Sequence, residues 1–367
     1  SHTHSGPGVN LDIENDPPRD IYDAHTGLHT YIPWLLDALA DAIGDSLASL
    51  KRTRLFFGKG RSSIGVNRRR IIDGRCHFMP NPEGYYDRDL HVIAVGDWGA
   101  RPHALLFIHG CHVNARYGGD FRFVLSPDFP GVARAALKEE LGQEVVPMFG
   151  QGAGGDIRPP CVGPDGIFCA GTTQDVDRMG KQLAKDVSAV LEGGMAEIAD
   201  ARFSAALGFA TLPLDPVPPP AEFERLSKDE SVAEPHRRWA ERISECLTRG
   251  QCIAAYMPLP MQVMRLSPDH LVITLGHEVV SEIGGMIKEV LAPQQVAVMG
   301  YTNDVDLYIP VTRMFSEGGE EAAGHVWRLY PTRQAPGVEG RVVAKAVELA
   351  RASEIAARRG NEEKSTR

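Results

Sequence analysis

The stretch GVARAALKEELGQEVVPMFGQGAGGDIRPP, residues 131–160, decides the fold. From Val132 to Leu141 its apolar residues recur at helical spacing, the signature of one buried helix face. Val145 to Phe149 is a short apolar run of strand type that empties into a Gly-rich segment, Gly150 to Pro160. A further helix is predicted from Asp175 to Leu191. On the other side, Leu90 to Val95 and Ala104 to Ile108 are short apolar runs bounded by Gly, Pro and Asp, as buried strands are. Asp97-Trp98-Gly99-Ala100 between them reads as a hairpin connection. Strand, helix and strand alternate, which predicts an α/β fold: a mixed β-sheet core flanked by helices in a single large domain.

Farther out, Ile32 to Leu50 has the spacing of an amphipathic helix. Arg54 to Phe57 reads as a short strand before a Gly58-Lys59-Gly60 turn. Leu212 to Pro220 is Pro-rich and Ala221 to Cys246 is charged and helical in pattern, predicting an exposed insertion around 212–250. Leu271 to Leu275 and Val296 to Met299 return to strand character, with a helix from Val279 to Leu291 between them. Val338 to Ala357 predicts a last helix, closing a domain expected to span 1–357, and residues 358–367 read as a disordered charged tail. No internal repeat is visible.

A chain of 367 residues can bury a sizeable core. It holds no run of about 18 apolar residues, so no transmembrane segment is expected. The formal charge of −9 is scattered, with one short basic cluster at Arg68, Arg69 and Arg70, too little for a nucleic-acid partner. Six cysteines in this length make no disulfide scaffold. Cys161 with Cys169, and Cys246 with Cys252, stand close enough to pair in an oxidising compartment, but buried free thiols are the plainer reading. The opening Ser1-His2-Thr3-His4-Ser5-Gly6-Pro7-Gly8 has neither an initiator Met nor a signal-peptide pattern. It reads as the end of a strand running into a turn, with an N-terminal truncation before it. Localisation and oligomeric state stay open.

Chemistry is expected where histidines and carboxylates gather at strand ends. His2 and His4, two apart, would share one face of a strand. His109 and His112 follow the strand Ala104 to Ile108, and Glu278 and Glu282 follow the strand Leu271 to Leu275. Two histidines, one carboxylate and an open position are the donor set of catalytic zinc. The competing reading makes each histidine an isolated polar residue with its own hydrogen bonds, and spacing alone does not connect these segments.

These landmarks come in a recognisable order: His2-Thr3-His4-Ser5-Gly6-Pro7-Gly8, Val66-Asn67-Arg68, Cys111-His112, Ser126-Pro127-Asp128-Phe129-Pro130-Gly131, Gly150 to Pro159, Gly276-His277-Glu278, and Gly300-Tyr301-Thr302-Asn303 through Tyr308. In them the chain resembles the N-terminal catalytic domain of the neutral/alkaline non-lysosomal ceramidase family. The resemblance implies a Zn2+ cofactor held by His2, His112, Glu278 and Tyr308, with His112 preferred to His109 and Tyr308 to Tyr301. It implies general acid/base work for His4, and substrate orientation by Arg68 through charge-assisted hydrogen bonds. The Gly-rich segment, at Gly154 and Gly155, offers backbone N–H groups for an oxyanion.

The chain departs from that family in three places. Arg158 stands where ceramidases carry a catalytic Ser, and a guanidinium cannot act as nucleophile; it could instead recognise an anionic group. Glu320 stands near the position of an additional tyrosine. No room remains for the family's C-terminal immunoglobulin-like domain. The expectation is a zinc-dependent hydrolase using zinc-activated water on a linear amide, of a lipid-like ceramide or another small-molecule N-acyl compound. A metal-dependent esterase or amidase for a sugar- or amino-acid-derived substrate, and a non-catalytic binding protein, are the alternatives.

Overall fold

The computed structural model describes residues 2–6, 25–97, 102–116, 124–251, 253–305, 307–324 and 330–365. Its central strands carry consecutive apolar residues, so both faces of each sheet must be covered. In the first sheet, β1 (Arg54–Arg61), β4 (Asp89–Gly96), β5 (Ala104–His109), β6 (Val146–Gln151) and β8 (Ala196–Glu197) run in the order β6-β5-β4-β1-β8. Only β5 and β6 pair in parallel. In the second sheet, β9 (Ser204–Pro213), β10 (Tyr256–Ser267), β11 (His270–Leu275) and β13 (Gln295–Met299) run in the order β13-β11-β10-β9, and only β11 and β13 are parallel.

Alternation along the strands sorts the side chains into three cores. Phe56, Val92 and Phe107 pack with Phe129 and Leu137 of α2 (Asp128–Leu141) and with Met179, Leu183 and Val187 of α3 (Thr173–Glu192). Their neighbours Phe57, Ile93 and Ile108 point the other way, onto Val272 and Ala297 of the second sheet. That sheet's far face, Met261, Val263 and Ile273, packs on Ile283 and Ile287 of α6 (Ser281–Val290) and on Val338, Val342 and Leu349 of α9 (Val338–Ser365). The result is helix, sheet, sheet, helix: the mixed α/β architecture that the alternation of elements predicts.

Smaller elements flank these layers. A three-stranded sheet joins β2 (Val66–Ile72), β3 (Arg75–Asn81) and β7 (Ile157–Arg158), with β2 in the middle. A parallel pair links β12 (Glu278–Val279) to β14 (Tyr308–Ile309). Short helices α7 (Met314–Glu317) and α8 (Glu320–Ala323) follow. The helical segment after the Pro-rich stretch is a pair, α4 (Pro220–Lys228) and α5 (Glu234–Thr248), with its own small core of Phe223, Trp239 and Ile243. The predicted N-terminal helix is α1 (His25–Ala48), but Trp34, Leu36, Leu39, Ile43 and Leu47 on it are exposed.

Four local readings change. Gly58 and Gly60 form no turn; β1 runs through them and pairs with β4 from Arg54 to Arg61. They are glycines because α3 lies so close: a Cβ on either would stand 2.5 Å from a methyl of Val190. The strands β9 and β10 went unpredicted, β10 because it carries Pro258 and Pro260. Both prolines lie beyond the last β10–β11 pair, Met261 with Leu275, where the ladder needs no donor on that side. Residues 358–365, expected in a disordered tail, continue α9 as helix, as their Arg, Glu and Lys content allows. Finally, residues 2–6 make a turn rather than a strand. The predicted hairpin joins β4 to β5 in register, although Trp98, Gly99 and Ala100 lie outside the described residues, as do Pro7, Gly8 and Cys252.

Candidate metal centre

Parallel pairing within each sheet, together with the stacking of the sheets, brings four strand ends to one edge. Past β5 comes His112, past β6 Gly154, past β11 Glu278, and past β13 Tyr301. The sheets meet there through the Gly152–Met299 bridge and the Gly300 N–H, which donates to the Gln151 carbonyl at 3.1 Å. This is the strand-end location that α/β folds favour for function.

The N-terminal turn closes over this edge. His4 N–H donates to the Val113 carbonyl (3.2 Å), Ser126 N–H to the Ser5 carbonyl (3.0 Å), and the Thr3 hydroxyl to the Ser126 carbonyl (2.9 Å). His2 adopts φ 56°, and the turn folds its ring edge-on to His4, with centroids 4.8 Å apart. A strand would have held the two residues about 6.6 Å apart along its axis.

His112 is fully buried, and its Nδ1 hydrogen-bonds to the Gly154 carbonyl at 2.9 Å. A carbonyl only accepts, so Nδ1 carries the proton and Nε2 presents a lone pair. That lone pair faces Glu278 Oε2 at 3.0 Å; His2 Nε2 stands 3.5 Å from the same oxygen and 3.1 Å from His4 Nε2. One donor nitrogen from each of His2, His4 and His112 lies within 4.8 Å of the others. Nitrogens about 2.1 Å from a tetrahedral zinc sit about 3.4 Å apart. Lone pairs at these spacings suit a shared cation, so the donor set fits the zinc that the resemblance implies.

Burial and neighbouring charges keep His2 and His4 in the ligating form. Burial lowers His2 to about 3, and the neighbouring His112 and His4 add to this against the pull of Glu278. His4 reaches solvent along one edge, yet the protein packed round it, with His112, Arg158 and Arg68, lowers it to about 4. Burial would raise Glu278; its close neighbours His112, His2 and Arg68 outweigh it and hold the carboxylate at about 2.

The sequence-predicted residues divide as follows. His2, His112 and Glu278 converge, and His4 joins them as a fourth close donor. Tyr308 pairs with Glu278 across the β12–β14 ladder, and its ring lies under the Arg68 guanidinium at 5.0 Å. Burial, then the Glu278 and Glu320 charges, raise its phenol against the opposing Arg68. Tyr301, passed over in the sequence, packs its ring 4.3 Å from His2 and sets its hydroxyl 3.4 Å from His112 Nδ1. Arg68 and Arg69 are buried rather than part of a surface patch, and Glu321, buried beneath them, pairs with both. Glu321 went unremarked; its signal was the need of two adjacent arginines for a counter-ion.

One expectation is corrected. The Gly155 N–H is committed to the Val279 carbonyl at 2.9 Å, so it is not an open oxyanion donor. The Gly154 carbonyl orients His112. Close approach explains both glycines: a Cβ at Gly154 would meet the Gly110 carbonyl at 2.4 Å, and one at Gly155 the Glu278 carbonyl at 2.5 Å. His109 is no rival ligand; it lies buried, with Nε2 2.6 Å from the Tyr86 hydroxyl and Nδ1 3.2 Å from the Asp89 carbonyl.

A double-sheet α/β fold with a His-rich cluster at one strand-end edge thus defines the class. No family model matches the sequence, and no curated protein does either. Among solved structures, a neutral ceramidase from Pseudomonas aeruginosa superposes with a TM-score of 0.59 at 15% identity, over 86% of this chain and 54% of that one. A ceramidase complexed with C2 gives 0.54 at 16% identity, over 83% and 54%. The chain spans about half the length of each. The chain shares the fold of these neutral ceramidase structures, the fold that the resemblance of its motifs implies.

Proposed function

We propose that this chain is a zinc-dependent hydrolase that cleaves a linear amide of an N-acyl compound, ceramide-like or another. The observation that carries the reading is the meeting of His2, His112 and Glu278, with His4 beside them, at the shared end of parallel strands. His2, His112 and Glu278 would hold the metal, with Tyr308 as the fourth donor that the resemblance implies. Zinc supplies Lewis acidity there, polarising a carbonyl and acidifying water.

The chain's own groups supply the rest. His4, neutral at pH 7, accepts a proton from the attacking water at its solvent-facing edge. With its pKa near 4, the protonated ring is a strong acid, suited to protonating an amine as it leaves. Arg68, braced by Glu321 through a 2.8 Å bond from Nε, offers a fixed cation to oxygen where negative charge develops. The Gly154 carbonyl holds the His112 ring in register, as outer partners of metal ligands do.

The test is metal content followed by a substrate screen. Purified protein should hold about one equivalent of zinc and, so loaded, hydrolyse a short-chain fluorescent ceramide or another N-acyl amide. Less than half an equivalent, or no turnover across amides and esters, would overturn the proposal. Turnover of esters or of sugar- or amino-acid-derived amides alone would place the substrate outside lipids.

A further inference from the structure

The turn between β6 and β7 passes among the groups that the proposed mechanism uses, and it is bonded to each of them. On one side the Gly154 carbonyl accepts from His112 Nδ1, and the Ile157 carbonyl accepts from the His112 N–H at 3.3 Å. On a second side the Asp156 carbonyl accepts from the Arg68 N–H at 2.9 Å. On the third lies the extended segment from Glu278 to Ser281. Its Glu278 and Val280 N–H groups donate to the carbonyls of Leu307 and Ile309. The alternate groups face the other way: the Val279 carbonyl accepts from the Gly155 N–H, and the Ser281 N–H donates to Asp156 Oδ1 at 2.7 Å.

Within this turn, Asp156 makes its bond to the Glu278 segment through the side chain. The residue is 1% exposed. Its Oδ2 accepts from Asn67 Nδ2 at 3.0 Å and from the Ser281 hydroxyl at 3.3 Å. Asn67 stands next to Arg68, and its Oδ1 accepts from the Arg69 N–H at 2.8 Å. One buried carboxylate therefore spans the middle of β2 and the first turn of α6, where a helix leaves N–H groups unpaired and favours an anion. We infer that Asp156 is a positioning residue that holds Arg68 and Glu278 in one frame. The cation offered to the developing charge then keeps its place relative to the metal ligand. The assignment rests on the proposed use of Glu278 and Arg68, but the frame itself is readable without metal or substrate. An Asn at 156 brings one oxygen and an NH2 group, so a donor of Ser281 or Asn67 would meet another donor in a buried place, which is costly.

The experiment combines zinc calorimetry with hydrogen–deuterium exchange read by mass spectrometry on the full chain, near-UV circular dichroism checking each fold. Asp156→Asn should weaken zinc binding at least about tenfold, as loss of an outer partner of a metal ligand does. In zinc-free protein it should speed exchange around Arg68 and around Glu278 together, leaving α9 unchanged. In zinc-loaded protein kcat should fall about 10–100-fold with KM within about threefold. Asn67→Ala removes one donor and is the milder change; it should move both segments in the same direction, and it decides the matter if Asp156→Asn does not fold. Asp156→Asn with Asn67→Asp exchanges donor and acceptor across the pair and should regain part of the zinc affinity, whereas two unconnected losses would add. Unchanged zinc affinity in a folded Asp156→Asn, faster exchange at one segment alone, or simple additivity in the double variant overturns the inference. If the wild type binds no zinc, the metal reading falls, and paired exchange in the two segments still sustains the frame. Zinc-dependent turnover that is indifferent to Asp156 does the reverse.

Discussion

Single residues set the terms at the metal centre. An outer-sphere partner of a metal ligand is worth about 10–100-fold in affinity or activity, so a direct donor should count for at least about 100-fold. His2→Ala and Glu278→Ala should each lower zinc content and kcat/KM by that much, read by elemental analysis and initial rates. Normal values in both would sink the ligand assignment. Glu321 makes a different prediction. Its carboxylate is held below the usual glutamate range: burial opposes this, and the charges of Arg68 and Arg69 and the Arg68 hydrogen bond outweigh it. A depressed acid gives stability that is present above the unfolded pKa and fades as the pH drops through the folded value. Glu321→Gln leaves two buried cations short of an anion and should cost about 3–5 kcal/mol in urea denaturation at pH 7, with a smaller loss below pH 4 than the wild type shows.

At the scale of the element, the informative pair is β1 against α3. Gly58→Ala would press a methyl into Val190, and overpacking of that kind costs about 1–3 kcal/mol. Val190→Ala in the same chain should restore part of it, and simple additivity in the double-mutant cycle would show that the close approach is not the cause. The same pair marks where sequence reading fails. Gly58 and Gly60 carry a local turn signal, but what selects them is a helix more than a hundred residues away. Continuous apolar runs such as Leu90 to Val95 were legible because burial on both faces needs no knowledge of the partner. The β2–β3 ladder was not, since Arg68, Arg69 and Arg70 hide its alternation until Glu321 is seen beneath it. The site was half legible: its residue types and strand-end positions lie in the sequence. The convergence of residues 2, 112 and 278 depends on which strands are parallel, and no local spacing encodes that.

Across the whole molecule, acid should loosen the metal-free fold before denaturant does. Burial, then the Lys288 charge, lower His91 to about 3, so the folded state refuses a proton that the unfolded chain accepts below about 6.5. Ion pairing with Lys288 and Lys59, against burial, holds Asp89 at about 2, and its contribution is lost as the pH falls from 3.8 toward that value. Both terms run the same way, so stability should decline from pH 6.5 downward, each group adding a slope of at most about 1.4 kcal/mol per pH unit. His91→Gln should flatten the limb between pH 6.5 and 4; an unchanged slope would mean that other groups carry it. Zinc at a hundred times its dissociation constant should add about 2.7 kcal/mol and raise the melting temperature accordingly.

The N-terminal turn, stitched to Val113 and Ser126 and facing Glu278, also has a kinetic meaning. Its approach to Glu278 closes a very long loop, and contacts of that separation form late because closure entropy precedes any gain from contact. A cation shared by His2, His112 and Glu278 would therefore act as a clasp on the last-folding contact and the first-opening one. Amide exchange at His4 and Ser126 should then slow on metal binding by far more than exchange in the central strands.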